Sequence, residues 1–160
     1  MPDKATLARV EEDQREGKSV STQAGEFVRE EIHHIREGKH GARSAAQAIA
    51  IGLSKARRAG IPLPPPGPGH ASDATRQHAV ADLEAGRDPE HQVSKKRSRA
   101  SLAALQHEGT AAASKRSLAR HARIAGAEHT AAERSASAKK GARTKRQAAA
   151  KAARAPKQDT

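Results

Sequence analysis

A shortage of large apolar side chains limits this chain more than any other feature. Leucine, isoleucine, valine and phenylalanine fill nineteen of 160 positions, about 12% against the roughly 20% that accompanies a packed globular core. Alanine supplies most of the nominal 35% hydrophobic content, and alanine favours helix while burying little area. The expectation is therefore helix without much tertiary structure. In fold class the chain reads as mainly α: a short helical hairpin plus extended basic helices, with a largely disordered C-terminal tail.

Charge divides the sequence into alternating blocks. Residues 1–32 hold five basic and eight acidic groups and residues 33–61 six and one; residues 62–91 then hold two and five, and residues 92–160 seventeen and four. The formal charge is +12 with a pI near 10.7, the balance of a protein with a polyanionic partner. Leu63-Pro-Pro-Pro-Gly-Pro-Gly69 is a stiff spacer that no helix crosses, so a boundary is placed there. Five segments result: an acidic flexible leader (1–21), a hairpin module (22–61), a Pro/Gly-rich linker (62–72), a basic helical region (73–126) and a disordered Lys/Arg/Ala-rich tail (127–160).

Within the hairpin module, Ala24 to Glu37 reads as a helix with Val28, Ile32 and Ile35 on one stripe, Phe27 beside it and Gly38 as its stop. Glu26, Glu30, His33 and Glu37 fall opposite. A second helix from Ala45 to Arg58, capped by Ser44 and stopped by Gly60, carries Ala45, Ile49, Gly52, Leu53 and Ala56 on one face. Ile51 lies on its far side, as an exposed residue or a homodimer contact. Beyond the spacer, Asp73 is placed to cap a helix to Ala85. Asp88-Pro89 has the Ncap-N1 signature of a helix ending near Gly109, and Thr110 starts another ending before Gly126.

One segment recurs. Lys39-His-Gly-Ala-Arg43-Ser-Ala-Ala-Gln47-Ala-Ile-Ala50 returns as Lys139-Lys-Gly-Ala-Arg143-Thr-Lys-Arg-Gln147-Ala-Ala-Ala150, identical at seven of twelve positions. Both copies join a cationic turn to Ser/Thr-x-x-Gln, a capping box that opens a helix. A helix N-terminus offers free N–H groups and a dipole that favour anions such as phosphate.

The stretches Thr22-Gln-Ala-Gly-Glu-Phe-Val28, Arg36-Glu-Gly-Lys-His-Gly-Ala-Arg43 and Gln47-Ala-Ile-Ala-Ile-Gly-Leu-Ser-Lys-Ala-Arg-Arg-Ala-Gly60 resemble a family of small basic bacterial proteins of unknown function, often labelled DNA-binding or plasmid-stabilisation proteins. The resemblance extends to Lys96-Arg-Ser-Arg-Ala100 and Gly109-Thr-Ala-Ala-Ala-Ser-Lys-Arg-Ser-Leu-Ala-Arg-His121. It implies DNA association and no catalytic residues. The tail is also similar in composition to bacterial histone-one-like tails.

The nucleic-acid candidates are the basic groups Lys39 and Arg43; Lys55, Arg57 and Arg58; Lys95, Lys96, Arg97 and Arg99; Lys115, Arg116, Arg120 and Arg123; and Lys139, Lys140, Arg143, Lys145 and Arg146. The bland reading of any one cluster is a solubilising face; their recurrence with a repeated cap favours phosphate contacts. With no Tyr, no Trp and one Phe there is no platform for base stacking, so duplex DNA is preferred to single strands, with weak base preference. Structured RNA is one alternative partner. A protein-interaction hairpin built on Phe27, Ile32 and Ile51, with a solubilising tail, is another.

Other chemistries find little footing. Cysteine is absent, which removes disulfides, thiol catalysis and Cys-type zinc sites. His33, His34 and His40 are the tightest histidine group, but adjacent histidines point to different helix faces and no His-x-x-x-His pair exists, so no metal and no cofactor are expected. Gly17-Lys18-Ser19 imitates the end of a phosphate loop, yet Glu12 stands where its first glycine belongs and no strand precedes it. Without an apolar pocket to hold a constellation, an enzyme is not expected. No secretory h-region or membrane-length apolar run is present. The expected setting is cytoplasmic and nucleoid-associated, without membrane contact.

Overall fold

The computed structural model describes residues 2–88 and 94–154. The described residues form α1 (Lys4–Arg15), α2 (Val20–Arg36), α3 (Ala45–Arg58), α4 (Asp73–Arg87), α5 (Lys95–Gln106), α6 (Lys115–Ala127) and α7 (Ala131–Arg154), and one 3-10 turn at Ala111–Ala113. No strand occurs among the described residues. The molecule divides into two compact units, one reaching to Leu118 and the other starting at Ala119.

Helix α3 forms where the local signals place it. Ser44 Oγ accepts the Gln47 N–H at 3.1 Å, and Gln47 Oε1 accepts the Arg43 N–H at 2.8 Å, so the capping box is realised with its return bond one residue early. Helix α2 starts at Val20, earlier than the apolar stripe suggested, because Ser19 Oγ accepts the Thr22 N–H. Ala24 and Phe27 of α2 join Ala56 of α3, while Ile32 and Ile35 join Ala48. The two helices are therefore an antiparallel hairpin.

Their closeness depends on glycine. A Cβ at Gly52 would sit 2.6 Å from Val28 Cα and 2.9 Å from Val28 N, so only a residue without a side chain lets the α2 backbone approach here. Among the described residues, eight of the thirteen buried apolar side chains are alanines. Small side chains thus make this core by bringing helices close together, and the expected scarcity of tertiary structure gives way in the first unit.

Three expectations are corrected. The leader is not flexible: α1 lays Thr6, Val10 and Asp13 on the hairpin, and Val10 joins the cluster around Phe27. Spacing of four and three residues gives α1 one buried stripe, with Arg9 paired to Glu26 beside it. Nor does the spacer separate modules. Ile61 and Leu63 pack on the Phe27 cluster, and α4 returns against α3, where Asp82 accepts a hydrogen bond from Ser54 at 2.6 Å and faces Arg58 at 3.4 Å. By helical spacing Ile51 shares that side with Ser54 and Arg58, and it is half-buried. Glu30, expected on the exposed face of α2, is buried, since Asp3 and Lys55 cover it.

A second cluster gathers Ile32, Ile35, Ala42 and Ala48 with Ala112 and Ala113 of the 3-10 turn, and Leu118 packs against it. Arg36 Nε donates to Ala113 O at 2.9 Å. Gly41 and Ala42 donate their N–H groups to Leu105 O and Gly109 O, and a Cβ at Gly41 would fall 2.0 Å from Glu108 O. The turn between α2 and α3 is thereby locked.

Past the spacer, Ser72 rather than Asp73 caps α4, and Gly86 lies inside it. The proposed start at Asp88-Pro89 falls partly outside the described residues; the described helix begins at Lys95 under a Ser94 cap. Helix α6 follows Ser114 and runs through Gly126. In the tail, α7 opens on a capping box of its own, Thr130 with Glu133, and its described side chains are all exposed. Residues 131–154, expected to be disordered, form a helix, since an alanine-rich segment favours helix even without burial.

Two alanine substitutions of helical glycines separate these effects. Gly52→Ala forces α2 and α3 apart and lowers stability by roughly 1–3 kcal/mol. Gly25→Ala, with nothing within 4 Å of its would-be Cβ, raises stability by about 0.5–1 kcal/mol. Thermal unfolding followed by circular dichroism should move in opposite directions for the two.

Candidate functional site

The eighteen cationic candidates fall into two physical classes, which their spacing does not distinguish. In the first unit, Lys55 is held by carboxylates: its Nζ lies 2.6 Å from Glu31 Oε2 and 3.5 Å from Glu30 Oε1. Arg57 is buried and donates to Leu63 O at 3.1 Å and Pro64 O at 3.2 Å. Burial pulls its pKa below the ordinary arginine value, with Asp82 acting against it. Arg58 faces Asp82. These three side chains hold the fold together.

Lys39 and Arg43 flank the turn before α3, both exposed. Lys39 lies 3.0 Å from Glu37, and this contact raises the lysine pKa and lowers that of Glu37. Lys18, at the imitation phosphate loop, pairs with Asp13 and Glu16 at 2.7 and 2.8 Å, and these hydrogen bonds raise its pKa. Gly17, at φ 69°, makes the turn between α1 and α2, so the motif serves chain reversal and capping.

The remaining cations are exposed and have no carboxylate partner among the described residues. On α5 they are Lys95, Lys96, Arg97 and Arg99, with Lys95 and Arg99 one turn apart. On α6, Arg116, Arg120 and Arg123 fall within about 60° of arc at 3.6 residues per turn, and Lys115 lies off it. On α7, Lys139, Lys140, Arg143 and Arg146 share an arc of about 120°, while Lys145 points to the opposite side. Lys139, Arg143, Arg146 and Gln147 line a shallow furrow along this helix.

The sequence repeat is not a structural repeat. In the second copy Thr144 lies inside α7 and its hydroxyl donates to Lys140 O at 3.0 Å, so no helix starts there and that copy offers no N-terminus to an anion. The first copy is pinned by the segment at Leu105 and Gly109. In the second copy nothing lies within 4 Å of a Cβ built at Gly141, and flanking alanines and lysines carry the helix through.

The sequence reading passed over a buried polar cluster. Glu31 is fully buried, with His40 Nε2 3.1 Å from its Oε1 and Lys55 at its Oε2. His40 is also buried, and its Nδ1 lies 3.1 Å from Gly41 O. His34 Nε2 lies 3.0 Å from Asp3 Oδ2, and the Asp3 N–H donates to Glu30 Oε2 at 3.0 Å. The His34 contact is the main cause holding the Asp3 carboxyl below its usual pKa. The available signal was Glu31-x-x-His34, one helical turn apart, followed by His40 across a glycine turn.

Phe27 and Ile32, named for a protein-binding hairpin, are 0% and 8% exposed, so neither is available to a partner. No described helix is long and apolar enough to cross a membrane.

Residues 13–66 match the model of a family of unknown function (DUF6496). That span runs from the end of α1 to the spacer and includes the whole hairpin. No curated protein and no solved structure matches the chain.

The two classes of cation predict opposite responses. Lys55→Met strands a buried carboxylate and Arg57→Met removes a buried guanidinium with its two bonds to the Leu63 and Pro64 carbonyls, each lowering stability by roughly 2–3 kcal/mol. Lys140→Gln and Arg143→Gln leave the melting temperature of the first unit unchanged. Denaturant unfolding of the four variants checks this.

Proposed function

We propose that this protein binds duplex DNA with little sequence preference, through phosphate contacts made by the cations of α5, α6 and α7. The observation that carries this reading is their availability. Lys55, Arg57 and Arg58 of the hairpin neutralise carboxylates or bond carbonyls inside the protein, whereas the candidate cations of α5, α6 and α7 stand exposed without a carboxylate partner among the described residues. An unpaired cation gains most from a phosphate, because contact releases condensed counterions without breaking an ion pair.

Groups confined to one arc of α6 or α7 suit a helix lying along a charged backbone. With no tyrosine or tryptophan and Phe27 buried, bases have no stacking platform, which supports a duplex over single strands. The α7 arc is lysine and arginine interspersed with alanine and threonine, a composition for backbone contact with little base readout. The role that fits is nucleoid-associated or plasmid-maintenance binding in the cytoplasm. No catalytic step belongs to it.

The test is a titration of the full chain on random-sequence duplex DNA, structured RNA and a neutral polymer across a salt series. Duplex DNA should bind most tightly and with a steep salt dependence. Replacing Lys139, Lys140, Arg143 and Arg146 together with Gln should lower the log–log salt slope by about 0.9 for each phosphate left without its cation. Lys145→Gln alone should lower it by no more than a single phosphate's share. Absence of binding at physiological salt, preference for RNA, or an unchanged slope in the fourfold variant would each overturn the proposal.

A further inference from the structure

Around His40 the hydrogen-bonding geometry leaves a deficit of positive charge. Its Nδ1 faces Gly41 O at 3.1 Å, and a carbonyl only accepts, so Nδ1 carries the proton. In a neutral ring Nε2 then presents a lone pair, yet it faces Glu31 Oε1 at 3.1 Å, a second lone-pair donor on a fully buried carboxylate. Two such atoms face each other stably only when a cation lies on or between them. Neither Glu31 oxygen receives a hydrogen bond of good geometry, although Lys55 Nζ is 2.6 Å from Oε2.

The surrounding charge points the same way. Asp3, Glu30 and Glu31 bring three carboxylates around a single ammonium, Lys55, while nearby Lys39 is neutralised by Glu37. With neutral imidazoles the cluster is two positive charges short. One divalent ion supplies both.

We propose that Glu31, His34 and His40 form a binding site for a divalent transition metal of the zinc class. Their donor atoms all lie within 4.8 Å of one another. Zinc bonds nitrogen and oxygen at about 2.0–2.2 Å, which sets tetrahedral donors roughly 3.3 Å apart, so the His40 and Glu31 pair is already spaced for it. Closing the third donor takes a shift on the order of 1 Å. Nδ1–H on a backbone carbonyl is the arrangement that orients an imidazole for metal through Nε2. Lys55 holds the second Glu31 oxygen, which leaves Oε1 for the ion.

Two imidazoles select a borderline metal over Mg²⁺ or Ca²⁺, which take oxygen. Asp3, Glu30 and His34 also bring donors within 4.8 Å, but Asp3 is exposed and Glu30 Oε2 is occupied by the Asp3 N–H. Asp3 is better read as an outer carboxylate steadying His34. The expectation of no metal considered histidines within one helix; this site pairs α2 with the locked turn that follows it. A bound ion would clip that turn, and with it Lys39 and Arg43, to the end of α2.

The experiment uses the full chain, stripped with a chelator and titrated with Zn²⁺ in a calorimeter near neutral pH. One saturable site per chain is expected, insensitive to excess Mg²⁺. Binding should weaken at least about tenfold in His40→Gln and Glu31→Gln, and remain unchanged in His129→Gln, an exposed histidine elsewhere. Because Glu31→Gln leaves Lys55 without its partner and threatens folding, His34→Gln, at a partly buried position, provides the same test with circular dichroism confirming helix. Co²⁺ in place of Zn²⁺ should give a visible absorption band in the parent that is lost in His34→Gln and His40→Gln. No saturable binding, or binding and colour that survive loss of these histidines, would overturn the site. Since DNA affinity is read separately, the outcome stands apart from that of the proposed function.

Discussion

The ammonium of Lys55, 2.6 Å from the fully buried carboxylate of Glu31, is the contact on which the first unit depends. A buried carboxylate without a cation is strongly destabilising, and the pair by itself adds little net stability over an apolar substitute. Its consequence is specificity: alternative registers of α2 against α3 leave Glu31 unmatched, so they are disfavoured beyond what alanine packing achieves. Gly52 makes this possible by letting the α2 and α3 backbones approach at Val28.

The same constraint governs what the protein has available for partners. Cations that hold the hairpin, Lys55, Arg57 and Arg58, are engaged by Glu31, the Leu63 and Pro64 carbonyls, and Asp82. The candidate cations on α5, α6 and α7 stand exposed without a carboxylate partner among the described residues, because the later part of the chain holds few acids to match them. Charge segregation along the sequence thus becomes a division of labour between scaffold and exposed arcs.

Much of the local structure was legible. Ser44 and Gly60 bracket α3 at the expected residues, since capping bonds are formed by groups a few positions apart. The capping box Thr130-x-x-Glu133 was equally readable, but the repeat drew attention to Thr144, which lies inside α7. A capping box marks a helix start only where something stops the preceding helix. Before the first copy α2 has already stopped at Gly38, at φ 74°, and Leu105 O holds the turn by accepting the Gly41 N–H, whereas Gly141 has nothing within 4 Å of its would-be Cβ.

By itself the sequence determined an all-helical chain, the position of the hairpin and the excess of cations after the spacer, because propensity, capping and composition act over a few residues. Only the tertiary structure decided that α1 is docked and that Ile61 and Leu63 of the spacer enter the core. It also decided that Glu30, Glu31 and His40 are buried together, and which lysines and arginines are already engaged. These outcomes depend on contacts between residues far apart in the chain, where an alanine core allows close approach and a buried charge tolerates only one partner geometry.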